Sequence, residues 1–326
     1  MKAHLPRLRQ MQTGKPTDGK RRIVVFVHGI FSSFETFTYL IAEFAGDTRF
    51  NGYDLASYDY DWGQPIETSG EQLRDILNGR IPNDAEVTLV GHSMGGLVSR
   101  FALIGGELPC VRRIFMLGTP NFGAMTAAQV NILWQLAIGG AGKLMPFFPR
   151  KAGLRDLTRV QTLYNEAIKK AEFRACRARN VDYVTVPGLF YNRDRRDTDP
   201  GEQGEAIPFT IGTLAIRVLA NVPLSGIEIE RPHDGVVEER SVCMMNGPSD
   251  MQSEKSGAIG DAKKFGVTYC HAVPDTAVDD THMSIQDDPR VAGIVKELIL
   301  ADSIVAWHDA LNLDQLERMK VIRPTI

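Results

Sequence analysis

Cysteine is scarce in this chain. Only Cys110, Cys176, Cys243 and Cys270 occur in 326 residues, and no two stand at C-x-x-C or metal-ligand spacing. That pattern suits buried free thiols in a reducing compartment better than a disulfide framework or a zinc cluster. Long apolar runs are missing too. No stretch reaches eighteen uninterrupted apolar residues, so no transmembrane helix is indicated. The nearest approach, residues 124–149, is broken by Gln129, Asn131, Gln135 and Lys143. Residues 1–21 are basic and polar, without the apolar core of a signal peptide. They read as a flexible arm, and the expected location is cytoplasmic. A large excess of one charge is also lacking. The formal net charge is -3, which gives no reason to expect nucleic acid as a partner.

What is present is an ordinary globular composition, 43% apolar and 24% charged. The length suffices for one large domain with insertions, taken here as residues 22–326. Residues 22–28 (RIVVFVH) form a β-branched apolar run that ends at a glycine, as a strand buried on both faces does. Further strands are expected at 55–60, 86–91, 113–117, 182–186 and 266–273. Helical spacing appears at 37–44, 70–77 and 97–104. A final helix begins near Asp288-Pro289, which supply an N-cap and a first-turn proline. Alternating strands and helices predict an α/β fold with a doubly wound, mostly parallel sheet and helices on both faces. Two stretches are too long to be plain connections, about 121–180 and 191–232, and read as cap or lid insertions.

Gly91-His92-Ser93-Met94-Gly95 fits G-x-S-x-G between a buried strand and a helix. A strand that reverses sharply into a helix strains the residue at the turn. Side chains two positions to either side would collide, so glycine fills them. The serine hydroxyl then projects beyond the sheet edge, at a helix N-terminus that favours developing negative charge. Ser93 is thus a candidate nucleophile, and an oxyanion formed on attack needs backbone N–H donors. One is expected from Met94, the residue after the nucleophile. The other is expected from the loop after residues 22–28, at Ile30 or alternatively Phe31. In this strand–helix arrangement an acid and then a histidine follow the serine along the chain. His282, in the loop after the strand at 266–273, is the expected base. His271 lies inside that strand and His233 abuts the candidate acid. His28 precedes the serine and reads as a brace of the oxyanion loop. Asp234, followed by Gly235 and two valines, is the expected acid. Its rivals are Asp194, Asp197, Asp199, Asp275, Asp279 and Asp280.

Taken in order, VHGIFSS, GHSMGGLVSR, LGTPNFGA, HDGVV and DDTHMSI resemble the lipase and esterase branch of the α/β-hydrolase superfamily. The resemblance implies an α/β-hydrolase fold and a triad of Ser93, Asp234 and His282. It also implies oxyanion donors at Ile30 and Met94, and hydrolysis of a carboxylic ester through an acyl-enzyme. The chain departs from many secreted members in lacking a recognisable disulfide or calcium site, and no cofactor or metal is expected.

Residues 121–149 carry one charge, Lys143, among many apolar side chains. They read as a cap whose Trp134, Phe147 and Phe148, with Phe31, line an acyl site. The same apolar face could touch a membrane surface transiently. The expected partner is therefore a small-molecule or lipid acyl ester. The same triad also serves amidases, thioesterases and acyltransferases. A non-catalytic interaction protein on this scaffold would have no need of all three groups.

Overall fold

The computed structural model describes residues 5–30, 32–104, 106–121, 123, 152–153, 156–157, 181–188, 237, 239–242, 267–271, 285–304 and 321–322. Its centre is an eight-stranded sheet in the order β1-β3-β2-β4-β5-β6-β7-β8. The strands are β1 Arg7–Gln12, β2 Arg22–Val27, β3 Tyr53–Asp59, β4 Glu86–His92, β5 Val111–Leu117, β6 Asp182–Val186, β7 Val267–His271 and β8 Val321–Ile322. The six inner strands pair in parallel, while β1 and β8 close the edges antiparallel. The helices are α1 Thr38–Ala45, α2 Ile66–Arg80, α3 Met94–Ile104, α4 Glu239–Val242 and α5 Pro289–Leu300.

Side-chain alternation along the strands splits the core into two layers. Ile23, Val25 and Val27 of β2 face one way, with Leu89 of β4 and Met116 of β5. There they pack on Leu73 and Leu77 of α2 and Leu97 and Phe101 of α3. Val24 and Phe26 face the other way, with Val90, Phe115 and Leu117, against Leu40 and Phe44 of α1 and Val291, Val295 and Leu298 of α5. Helices therefore cover both faces of the parallel inner strands, which are buried on both sides. α2 and α3 approach so closely that a Cβ at Gly70 would stand 2.6 Å from the Cβ of Phe101.

Residues 7–12 correct the expectation of a flexible arm, for they form β1 along the edge of β3. Arg7 and Arg9 both bond the buried Asp59 carboxylate, and the Arg9 guanidinium lies 4.2 Å from the centre of the Phe34 ring. The β3 ladder, the packing of Leu8 on the core and these long-range ion pairs together hold this strand.

Helix ends follow local chemistry. Asp288 caps α5 through the Arg290 N–H at 2.7 Å, with Pro289 in the first turn. At the other end of α5, the buried Arg113 donates to the carbonyls of Leu298 at 2.6 Å and Ile299 at 3.0 Å, and also bonds Asp182. A cation there complements the helix dipole. α2 starts after Pro65, which offers no side-chain cap. Its Ile66 N–H donates instead to Asp156 at 3.1 Å, from the first insertion. Leu157 beside it is buried in the core. The rest of both insertions, and hence the expected cap, lies outside the described residues. Among the described residues no helix is long and apolar enough to cross a membrane.

Candidate active site

Ser93 sits between the end of β4 and the start of α3 with φ of 53°. It is the one non-glycine residue with positive φ among the described residues. A backbone in that region costs an L-residue about 1–2 kcal/mol, so surrounding contacts must hold it there. The contacts are visible. The Ser93 N–H donates to the Leu117 carbonyl of β5 at 2.9 Å, and the Gly96 N–H closes the turn onto the Ser93 carbonyl at 3.1 Å. A Cβ at Gly91 would lie 2.5 Å from the Gly96 nitrogen. One at Gly95 would overlap the Val27 carbonyl oxygen, and one at Gly96 the Thr119 hydroxyl. The glycine spacing is thus a requirement of close approach.

Parallel pairing of Val27 with Gly91 brings the end of β2 alongside this turn. Gly29 lies directly against it, for a Cβ there would stand 2.9 Å from the Ser93 Cβ and 3.1 Å from the His92 carbonyl oxygen. Ile30 follows, partly buried against the α2/α3 core layer. Met94, fully buried, opens α3, where the first-turn N–H groups have no partner within the helix. Ser93, Met94 and the Gly29-Ile30 loop thus lie together at one edge of the sheet. A partial positive charge from α3 is directed at Ser93.

The loop is braced from below. The His28 ring is buried and its Nδ1 lies 2.9 Å from the Gly29 carbonyl oxygen. It stacks on Tyr60 with ring centres 4.3 Å apart, and the Tyr60 hydroxyl donates to the His28 carbonyl at 2.6 Å. Burial pushes the Tyr60 phenol well above its ordinary range, so it remains a donor. Nothing in the sequence pattern marked Tyr60. Its position just past β3 is the available cue, but its part depends on stacking across thirty-two residues of chain.

A second buried cluster lies beside the turn. Arg100 of α3 donates to the Asn121 side-chain oxygen at 3.3 Å, and the Asn121 amide donates to the Val242 carbonyl at 2.7 Å. Ser241 donates to the Gly123 carbonyl at 2.8 Å. These bonds tie α3, the loop after β5 and α4 together. α4 follows Asp234 in the chain, but Asp234 itself lies outside the described residues, as do His233, His282, Phe31, Trp134, Phe147 and Phe148. His271 is in strand β7, as expected.

A family model described as the alpha/beta hydrolase family matches residues 24–223. No curated protein matches the sequence. Among solved structures, the mature form of the lipase BlEst2 from Bacillus licheniformis is similar, with a TM-score of 0.56 and 19% identity over 90% of this chain and 98% of that one. The phospholipase PlaB from Legionella pneumophila is similar with a TM-score of 0.51 and 16% identity, over 92% of this chain and 64% of its own. At these identities the likeness is one of fold.

Proposed function

This chain belongs to the alpha/beta hydrolase family, and from that premise we propose that it is a serine hydrolase of carboxylic esters, with Ser93 as nucleophile. The observation that carries the reading is the strained backbone at Ser93, held at the N-terminus of α3 against Gly29. Strain of this kind persists where the surroundings over-determine it, and such strain clusters at functional sites.

The chemistry follows from the residues proposed. His282 accepts the Ser93 proton as Oγ adds to the ester carbon. Asp234 holds the imidazole in the required tautomer and stabilises the imidazolium. The N–H groups of Ile30 and Met94 receive the negative charge on the carbonyl oxygen. As the intermediate collapses and the bond to the leaving oxygen breaks, His282 gives its proton to that oxygen; the alcohol departs and the acyl group stays on Ser93 as the acyl-enzyme. Water repeats the sequence and releases the acid. Esters rank ahead of amides because an alkoxide departs more readily than an amine. The similar fold of a lipase and a phospholipase supports the same ranking. Phe31, Trp134, Phe147 and Phe148 are proposed to receive the acyl chain. A lipid ester, presented at a membrane surface, is the natural extension of that apolar lining.

A panel of para-nitrophenyl esters, thioesters and anilides tests the reading, with Ser93→Ala, Asp234→Asn and His282→Ala in parallel. Ester turnover that is lost in the Ser93 and His282 variants and sharply reduced in the Asp234 variant is expected. Preferred turnover of thioesters or anilides would replace the ester reading. Normal turnover in Asp234→Asn would move the acid to a rival such as Asp279 or Asp280.

A further inference from the structure

We propose that His28 and Tyr60 are positioning residues that fix the orientation of the Gly29–Ile30 peptide, so that its N–H faces the developing oxyanion. The inference rests on the hydrolase reading above and deepens it.

The argument begins with one peptide unit. The Gly29 carbonyl and the Ile30 N–H belong to the same plane, and in a trans peptide they point in opposite directions. That carbonyl oxygen lies 2.9 Å from Nδ1 of His28. A carbonyl can only accept, so Nδ1 must carry the proton and donate. Drawing the oxygen down to a buried ring turns the N–H the other way. A flipped unit would instead present a carbonyl oxygen, an acceptor, where negative charge develops. That arrangement would repel the intermediate rather than stabilise it.

The ring that holds the carbonyl is itself held. It stacks on Tyr60 at 4.3 Å with planes 18° apart, and the Tyr60 hydroxyl fixes the preceding carbonyl, that of His28, at 2.6 Å. Successive carbonyls of the loop are thus pinned by two side chains. Tyr60 stacks in turn on Tyr58 at 5.1 Å, and the Tyr58 hydroxyl donates to the Ser69 carbonyl of α2 at 3.0 Å. A rigid chain of rings therefore runs from α2 to the loop. The loop has no slack on its other side, since Gly29 already abuts Ser93 and His92. Any rotation of this peptide is therefore felt beside the nucleophile.

Three variants separate positioning from packing. His28→Asn keeps a donor near the place of Nδ1, because the asparagine amide is close to isosteric with that edge of the ring. His28→Leu fills space without a donor. Tyr60→Phe keeps the ring stack and removes the hydroxyl. The readouts are kcat and KM on para-nitrophenyl butyrate, and inhibition by an alkyl trifluoromethyl ketone, with thermal unfolding as the check on folding. Ser93 Oγ adds to the ketone carbon, its proton passing to the base, and leaves an oxyanion at the same place as the intermediate.

His28→Leu is expected to lower kcat about 10- to 100-fold, with KM changed by no more than about twofold. The ketone should weaken by the same factor as kcat/KM. His28→Asn should recover most of the loss, and Tyr60→Phe should lose about 3- to 10-fold in kcat. A folded His28→Leu protein with unchanged kcat, a loss confined to KM, or an asparagine variant as poor as leucine would overturn the inference. Should His28→Leu fail to fold, His28→Asn and Tyr60→Phe carry the test alone. Wild-type kcat and ketone affinity in Tyr60→Phe would then overturn it. Full turnover in Ser93→Ala, by contrast, would overturn the hydrolase reading itself, whatever the His28 variants do.

Discussion

Replacing Ser93 by alanine and by glycine isolates the strain at the turn, because both changes remove the hydroxyl and only one removes the Cβ. At an ordinary position glycine is less stable than alanine by about 0.5–1 kcal/mol, since the unfolded chain gains more freedom. At residue 93 the backbone has φ of 53°, which costs an L-residue about 1–2 kcal/mol and costs glycine almost nothing. The difference leaves Ser93→Gly more stable than Ser93→Ala by about 0.5–1 kcal/mol. In a chain of this size that is a rise of about 1–3 °C in Tm, measured by calorimetry or circular dichroism. Gly79 supplies the control. It lies in α2 without positive φ, and a Cβ there would meet nothing within 4 Å. Gly79→Ala should therefore stabilise by about 0.5–1 kcal/mol, so the preferred residue reverses between the two sites. A Ser93→Gly protein that melts below Ser93→Ala, in the ordinary order, would refute the claim that this backbone is strained.

Other consequences follow from particular contacts. Arg113→Ala strands the Leu298 and Ile299 carbonyls at the end of α5 and leaves Asp182 without its guanidinium. It should destabilise by about 2–3 kcal/mol in urea unfolding, with the slope unchanged. Burial pushes the Cys110 thiol up, so it should resist iodoacetamide at pH 8 in the native protein and react on unfolding, as peptide mapping by mass spectrometry would show. The Arg49 guanidinium bonded to Asp47 lowers that carboxyl to about 2. A depressed folded value contributes stability above the unfolded value and loses it below. The contribution should therefore fade as pH drops from about 4 towards 2. Acid titration of Asp47→Asn against the parent should show the two stabilities converging over that window.

The inner sheet was legible because strands such as β2 and β4 are short runs rich in β-branched and other apolar residues bounded by turns, as strands buried on both faces tend to be. Ser93 was legible because steric exclusion leaves a fixed spacing of glycines around it. The edge strand β1 was not, since RLRQMQ shows no continuous apolar face, only Leu8 reaching the core, and its partners Asp59 and Phe34 lie far along the chain. The start of α3 was placed late, at Leu97 rather than Met94, because Gly95 and Gly96 weaken a helix locally. They are present for the close approach of Val27 and Thr119, a tertiary fact. α2 was placed late for a similar reason, its first turn being capped by Asp156 from ninety residues away. Tyr60 escaped notice because hydrogen bonding to a carbonyl leaves no sequence signature. Asp234 and His282 were chosen by chain order and loop position, which constrain sequence but do not measure distance.

The central claim is that Ser93 is an activated nucleophile, and its most direct test is covalent. Intact protein is treated with an alkyl fluorophosphonate, and the adduct is located by peptide mass spectrometry. One phosphonyl group per chain on the peptide containing Ser93, absent from Ser93→Ala and greatly slowed in His282→Ala, is the predicted result. An adduct on another residue, or undiminished labelling of Ser93→Ala, would contradict it.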